Sequence, residues 1–137
     1  MADIRVSREY DVDASELWDA VATSDGLSSW LMPNDFAPVV GHRFTFQDTP
    51  RRPVYDGVIL CEVLEIDAPR LLRISWAGGP ISTEVTFTVE ELAAGRSRLT
   101  VEQHGFRGLR GAAVRLVLGA GWRSLLSRKI PELLSRR

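Results

Sequence analysis

The chain opens with alternating apolar and polar residues, which is the period of a strand with one buried face. The apolar positions are Ile4, Val6, Tyr10 and Val12. Arg8 breaks the pattern, because it places a charge on the otherwise apolar face. We therefore expect a first strand with one polar side chain directed to its inner side.

Two short helices are predicted after this strand. Asp13 or Ser15 can cap the first, whose apolar positions recur at a spacing of three to four residues at Leu17, Trp18 and Val21. Asp25 and Gly26 then predict an interruption. A second helical turn would carry Leu27, Trp30 and Leu31, and it would end before Pro33, because the residue before a proline is disfavoured in a helix.

The middle of the chain contains five runs of strand-like residues with short connections. The runs are HRFTFQD (42–48), YDGVILCEVLEID (55–67), RLLRISWA (70–77), STEVTFTVEE (82–91) and SRLTVEQH (97–104). Connections this short, with no helical period between the runs, favour consecutive antiparallel hairpins. The inner face of the last run continues through Leu99 and Val101 to Gln103, so a second polar side chain is expected to point inward.

The last part of the chain predicts a long helix from about Gly111 to Arg128. Its apolar stripe consists of Val114, Val117, Leu118, Trp122, Leu125 and Leu126. Pro131 either kinks the end or starts another turn. One strand, two short helices, five strands and a long helix make an α+β fold, in which a curved six-stranded antiparallel sheet wraps around the C-terminal helix.

Several local motifs occur in this order along nearly the whole chain. They are REYD in the first strand, SELWDAVAT in the first helix, LSSW at 27–30, PRLLRISW at 69–76, TEVTFTVEE followed by RLTVEQHGF, and GW with LL three residues on. As a set, the motifs resemble the START-like or SRPBCC helix-grip superfamily, particularly the branch named for activators of the heat-shock-protein-90 ATPase. The chain is also similar to enediyne self-resistance proteins and polyketide cyclase-like proteins.

The resemblance implies a cavity between the sheet and the C-terminal helix. Similar proteins mostly bind small molecules or lipids; some are cyclases or dehydratases, one branch binds a chaperone, and another confers antibiotic self-resistance. The fold does not choose among these functions.

Length and composition limit the alternatives. A chain of 137 residues with 45% hydrophobic and 26% charged residues predicts a single globular domain spanning 1–137. A net charge of −1 argues against a general nucleic-acid binder. The start MADIRVSREY shows no secretion leader, no run is long enough for a membrane span, and Cys61 is the only cysteine, so we expect a cytoplasmic protein.

Motifs for catalysis, metal binding or cofactors are not found. The sequence lacks G-x-S-x-G, H-E-x-x-H, C-x-x-C and a strand followed by G-x-G-x-x-G, so no catalytic residue, metal ligand or cofactor is predicted. Arg8 and Gln103 are candidate ligand contacts, and in a cyclase-like enzyme either could polarise a carbonyl. The alternative is that Arg8 emerges at the sheet edge with only its stem buried.

Aromatic residues give the stronger binding signal. The candidates come from separate predicted elements and are Trp30, Phe44, Phe46, Tyr55, Trp76, Phe87 and Trp122. Ordinary core packing is the alternative for each of them. The leading hypothesis is a binding protein that holds a small, largely hydrophobic molecule, lipid-like or polycyclic, without catalysis.

Charge is unevenly distributed along the chain. The segment from Arg107 to Arg137 carries a net charge of +7, and the remainder carries −8. A solvated helix surface explains this distribution most simply, whereas the alternative is a docking surface for a protein partner at the basic C-terminal helix.

Overall fold

The computed structural model describes residues 3–50, 55–79 and 81–136, and it confirms the α+β helix-grip architecture. The elements in chain order are β1 (Ile4–Tyr10), α1 (Ala14–Val21), α2 (Ser24–Trp30), β2 (Arg43–Gln47), β3 (Val58–Asp67), β4 (Leu71–Gly78), β5 (Ile81–Ala93), β6 (Arg96–His104) and α3 (Gly108–Ser124), followed by a π-helical turn (Leu125–Lys129) and α4 (Ile130–Ser135). The predicted domain spans 1–137, of which residues 1–2, 51–54, 80 and 137 lie outside this description.

The sheet has the strand order β1-β6-β5-β4-β3-β2, and all its pairs are antiparallel. Alternation gives it one apolar face against the helices and one charged face against solvent. On the outer face Arg73 bridges Glu65 and Glu84, and Arg96 contacts Glu9 with an Nη2–Oε1 distance of 2.7 Å. The free inner face is therefore available to the C-terminal helix.

The two short helices differ from the prediction in how they begin. Asp13 occupies the N-cap position of α1, but its carboxylate accepts the backbone N–H of Gly95, between β5 and β6, at 2.9 Å. The expected interruption at Asp25 and Gly26 is wrong, because both residues lie in the first turn of α2, capped by the Thr23 hydroxyl. Glycine is needed at position 26, where a Cβ would lie 2.2 Å from a backbone oxygen of α1.

The C-terminal helix is longer than predicted and has three parts. It runs for 28 residues through α3, the π turn and α4, and Pro131 lies in the first turn of α4. The Tyr10 hydroxyl donates to the carbonyl oxygen of Leu126 at 2.6 Å, which ties β1 to the π turn. Within residues 3–50, 55–79 and 81–136, no helix is long and apolar enough to span a membrane.

The predicted apolar stripe of this helix is buried only towards its C-terminal end. Trp122, Leu126 and Ile130 are buried, and Leu118 is half-buried. Val117 was expected in the buried stripe but is 66% exposed. The reason is that the sheet and α3 do not close against each other at this end.

Candidate functional site

A cavity of about 500 Å³ separates the first part of α3 from the sheet. Most of its wall is apolar and comes from the segment after α2, from three strands and from α3. These wall residues are Met32, Ile59, Trp76, Ile81, Val114 and Leu118. Drug-sized ligands occupy sites of roughly 300–1,000 Å³, so a small organic molecule fits this space.

The rim of the cavity is open to solvent. Asp48, Gly79, Ala113 and Val117 line the cavity and are exposed, and Tyr55 is half-buried beside them. Among the described residues, the opening lies between Asp48 and Tyr55 on one side and α3 on the other. A ligand could enter there without unfolding a strand.

Two inward-facing rows of the sheet continue into this rim. In β2 the inner positions Phe44 and Phe46 are followed, at the same two-residue spacing, by Asp48. On the neighbouring segment, Tyr55 lies four residues before the inner position Ile59 of β3 and also lines the cavity. The backbone N–H of Asp48 donates to the carbonyl of Gly57 at 2.7 Å, which holds the two chain segments together at the mouth.

The part of the cavity wall that β4 forms leaves additional space, because the last inward-facing residue of β4 is a glycine. Trp76 is followed two residues later by Gly78, whose missing side chain leaves space above Ile59. A Cβ at Gly78 would lie 3.4 Å from Cγ1 of Ile59. Larger side chains at this position would extend into the cavity.

The α3 wall is built from short side chains. Ala113, Val114, Val117 and Leu118 line it, and none of them reaches across to the sheet to close the space. Four residues further on, Trp122 is buried and fills the interior. The cavity therefore ends where the helix changes from small aliphatic residues to tryptophan.

A continuous cluster of aromatic rings lies beneath the cavity. Ring centroids of Trp76 lie 5.3 Å from Phe46 and 5.6 Å from Trp122. Trp122 in turn lies 6.2 Å from Trp30 and 6.0 Å from Phe87, and Phe44 lies 5.4 Å from Phe46. The sheet and the helices thus share one aromatic core, of which Trp76 forms the surface that faces the cavity.

A buried hydrogen-bond chain fixes this core. Trp122 Nε1 donates to Gln103 Oε1 at 2.8 Å, Gln103 Nε2 donates to Thr83 Oγ1 at 2.9 Å, and Thr83 Oγ1 donates to the Trp76 carbonyl at 2.9 Å. Gln103 is fully buried. Both ends of its amide are therefore engaged within the protein, and the chain links α3 to β6, β5 and β4.

The nine side chains predicted from the sequence occupy three environments. Tyr55 and Trp76 line the cavity. The other aromatic candidates and Gln103 lie in the core beneath it; these are Trp30, Phe44, Phe46, Phe87, Gln103 and Trp122. Arg8 is exposed on β1, an edge strand, and is not a lining residue.

The sequence analysis missed most of the wall. Val114, Val117 and Leu118 had been assigned only to a packing stripe, and Met32, Asp48, Ile59 and Ile81 had not been singled out. For Asp48 a signal was present, because it continues the alternation of Phe44 and Phe46 by one more inner position. Aliphatic wall residues carry no such signal, since they look like core.

Polar chemistry at the cavity is confined to its mouth. Asp48 Oδ2 accepts the Tyr55 hydroxyl at 3.3 Å, and Asp48 Oδ1 accepts the N–H of Thr49 at 2.7 Å. Among the described lining residues, Asp48 is the one with a formal charge at neutral pH. A carboxylate offers about four lone-pair sites, so it retains acceptor capacity for a further partner.

The remaining titratable groups do not build a second site. Burial raises the pKa of the Cys61 thiol to about 12, so the thiol is protonated and unreactive at neutral pH. Among the described residues, no group of three or more His, Cys, Asp or Glu side chains is arranged to hold a metal ion. The chemistry that the arrangement supports is burial of an apolar molecule with one polar end.

Basic side chains are concentrated along the C-terminal helix. Arg136 pairs with Glu132, and Arg137 lies outside the described residues. Among the described residues of this helix and its N-cap, the exposed cations without a carboxylate within ion-pair distance are Arg107, Arg110, Arg115, Arg123, Arg128 and Lys129. This surface therefore retains its positive charge.

Comparison with known proteins gives one family and a set of similar structures. Residues 11–135 match the model of the family described as Activator of Hsp90 ATPase homolog 1-like protein. The protein MLL2253 from Mesorhizobium loti is 31% identical, with a TM-score of 0.83 over 97% of this chain and 96% of that chain. Among curated proteins, none matches.

Two more distant structures share the fold. DynU16, described as a protein of the dynemicin biosynthetic locus, is 21% identical with a TM-score of 0.76, over 98% of this chain and 48% of that chain. A protein from Plasmodium falciparum, described as an HSP90 activator, is 20% identical with a TM-score of 0.59, over 74% of this chain and 71% of that chain. At these identities the likeness shows the fold alone.

Proposed function

The chain belongs to the Activator of Hsp90 ATPase homolog 1-like family, and within this family we propose that it binds a small, largely hydrophobic molecule in the cavity between the sheet and α3. The observation that carries the proposal is the cavity itself. It measures about 500 Å³, opens to solvent and has an aliphatic and aromatic wall. Because this fold hosts several functions, the proposal rests on the site rather than on the family.

The binding energy would come from burial. Apolar area removed from water contributes about 25 cal/mol per Å² before ordering costs are subtracted. Trp76 offers a rigid ring surface held in place by Phe46 and Trp122, so little side-chain order has to be created on binding. Tyr55 closes the opposite side at the rim.

The proposed role is binding without catalysis. Arg8 and Gln103, the two side chains considered for polarising a substrate carbonyl, are not lining residues. Gln103 is also engaged at both ends by Thr83 and Trp122. We propose a cytoplasmic location, which the single, buried Cys61 supports.

A matched pair of variants on α3 tests whether the cavity is the binding site. Ala112 and Ala113 are adjacent and both exposed, but only Ala113 is a lining residue. We expect Ala113→Trp to fill the cavity and weaken binding of a hydrophobic fluorophore such as 1-pyrenemethanol by at least about tenfold, which corresponds to roughly 1.4 kcal/mol. Ala112→Trp should retain the affinity of the unmodified protein.

The result that contradicts the proposal is equal affinity in the two variants. Native mass spectrometry of protein purified from cells without denaturation provides an independent measurement. A bound small molecule that is present on the unmodified protein and on Ala112→Trp, but missing from Ala113→Trp, supports the site. The same added mass on all three proteins places the molecule elsewhere.

We also propose, as a second candidate function, that the basic surface of the C-terminal helix docks a protein partner of the Hsp90 type. Its support is the family description together with the unpaired Arg123, Arg128 and Lys129. If this is correct, the purified protein stimulates an Hsp90 ATPase at low salt. Arg123→Glu with Arg128→Glu should abolish the stimulation, whereas Arg5→Glu, on the outer face of β1, should leave it unchanged. Stimulation that is unaffected by the charge reversal, or its complete absence, refutes this function.

A further inference from the structure

The cavity is chemically asymmetric along its length. Its inner end is formed by Trp76 and Leu118, both of them apolar. At the mouth stand a carboxylate and a phenol, Asp48 and Tyr55. A molecule that fills this space places its apolar body towards the inner end and its other end beside the Asp48 carboxylate.

The carboxylate is held in position by its neighbours. The Thr49 N–H donates to Oδ1 at 2.7 Å, and the Tyr55 hydroxyl donates to Oδ2 at 3.3 Å. The backbone of Asp48 is fixed in addition by its N–H bond to the Gly57 carbonyl at 2.7 Å. The backbone and both carboxylate oxygens are thus hydrogen-bonded, and these bonds hold the exposed carboxylate at the mouth.

No cation among the described lining residues balances this charge. The Arg and Lys residues of α3 are not lining residues. A donor at the mouth gains a charge-assisted hydrogen bond to the Asp48 carboxylate, which is roughly twice as strong as a neutral one, whereas a carboxylate end group gains no such bond from Asp48.

From this asymmetry we infer that the ligand class of the cavity is an apolar molecule with a hydrogen-bond donor at one end, best a protonated amine, which binds Asp48 at the mouth. The inference rests on the proposed function and narrows it. Molecules with the same apolar part and a carboxylate end group should bind more weakly. The Asp48 carboxylate sets this preference, and the apolar wall supplies the affinity that all such molecules share.

Three probes with one apolar body and different end groups test the inference. They are 1-pyrenemethylamine, 1-pyrenemethanol and 1-pyrenecarboxylate, whose binding is measured by pyrene fluorescence anisotropy at neutral pH. We expect the amine to bind most tightly and the carboxylate most weakly, about tenfold apart, since the partner carboxylate is partly solvated.

The Asp48→Asn variant separates the charge from the shape of the mouth. Asparagine still accepts the Thr49 N–H through its oxygen, so the local turn is preserved. In this variant the affinity for the amine should fall to the affinity for the alcohol. The matched control is Glu91→Gln, which removes an exposed carboxylate on β5 about ten residues, or roughly 33 Å, from Ile81 and should leave the order of the three probes unchanged.

The possible results test the end-group preference separately from the proposed binding function. If the carboxylate binds as tightly as the amine, or if the preference for the amine persists in Asp48→Asn, the inference is wrong. Binding of the alcohol that Ala113→Trp removes still supports the cavity as a site in that case. If none of the three probes binds, both the end-group preference and the proposed function are wrong.

Discussion

The C-terminal helix has two halves that meet the sheet differently. Residues 108–121, the first half, cover the cavity with short side chains, and Val117 and Leu116 remain more than half exposed. Residues 122–135, the second half, bury Trp122, Leu126 and Ile130 in the core. The comparison teaches that one helix can anchor a fold with one end and cover an open cavity with the other.

The anchoring half is also the half with specific polar bonds to the sheet. Trp122 bonds to Gln103, and the Leu126 carbonyl accepts the Tyr10 hydroxyl. In the first half, Arg115 Nη1 reaches the Asp3 carbonyl over 3.5 Å, and the three glycines inside the helix, Gly111, Gly119 and Gly121, each lower helix stability by about 1 kcal/mol relative to alanine. We therefore expect the two halves to differ in local stability.

The largest predicted difference between the halves is in the free energy of unfolding that is lost when a leucine in each half is replaced by alanine. Leu126→Ala removes a fully buried side chain and should lower the free energy of unfolding by about 2–5 kcal/mol. Leu118→Ala, at the half-buried wall of the cavity, should cost about 1 kcal/mol or less because no closed void is created. Urea unfolding measures both, and equal losses would contradict the distinction between the halves.

A second prediction tests the hydrogen bond between Trp122 and Gln103 separately from the packing of the aromatic ring. Trp122→Phe keeps an aromatic ring but leaves the buried Gln103 Oε1 without its donor, which should cost about 1–3 kcal/mol. Trp18→Phe, on the half-buried side of α1, is the control and should cost less. Thermal unfolding with tryptophan-independent far-UV detection compares the two; an equal change would assign the effect to ring size alone.

A third effect concerns the junction of β1 with the π turn. Tyr10→Phe deletes the donor to the Leu126 carbonyl and should lower stability by about 1 kcal/mol. Amide hydrogen exchange should accelerate in the second half of the helix more than in the strands. If protection in the second half is unchanged, the Tyr10 hydroxyl does not anchor it.

The smallest predicted effect is a loss of local stability at acidic pH, just before the first half of the helix begins. Asp3 Oδ2 accepts the N–H groups of Phe106 at 3.0 Å and Gly105 at 2.9 Å, and these bonds hold the pKa of Asp3 below its ordinary value of 3.8. The stabilisation is therefore present above pH 3.8 and is lost as the pH falls through the lower folded-state pKa.

Exchange of the Gly105 and Phe106 amides, followed from pH 6 downward and corrected for intrinsic rates, measures this loss. Protection should fall as the pH drops below 3.8 in the unmodified protein, because protonated Asp3 is the weaker acceptor. In Asp3→Asn protection should be low throughout and independent of pH. A parallel acid loss in Asp3→Asn would show that another group is responsible.

The fold was predictable because its signals are periodic. The two-residue alternation from Ile4 to Tyr10 and from Leu99 to Gln103 indicated strands with one buried face, and short connections indicated antiparallel neighbours. The interruption expected at Gly26 was wrong because glycine there serves a close helix–helix approach, which depends on a neighbour distant from any local pattern. The π turn likewise has no periodic signature in the sequence.

The candidate site was less accessible to sequence reasoning. Trp76 and Trp122 have the same residue type and both belong to aromatic clusters, yet one faces the cavity and the other fills the core. What separates them is the position of the helix over the sheet. Gln103 was expected to be a polar group available to a ligand, but its partners Thr83 and Trp122 come from other elements and could not be paired by spacing.

The division of the helix also has an evolutionary consequence. Ala113, Val114 and Val117 shape the cavity, but little of the fold's stability depends on them, so substitutions there stay above the threshold at which a protein is lost to selection. We therefore expect substitutions at these positions to change the shape of the cavity while Gln103 and Trp122 keep the scaffold intact. A cavity bounded in this way is a region of high evolvability within an otherwise constrained chain.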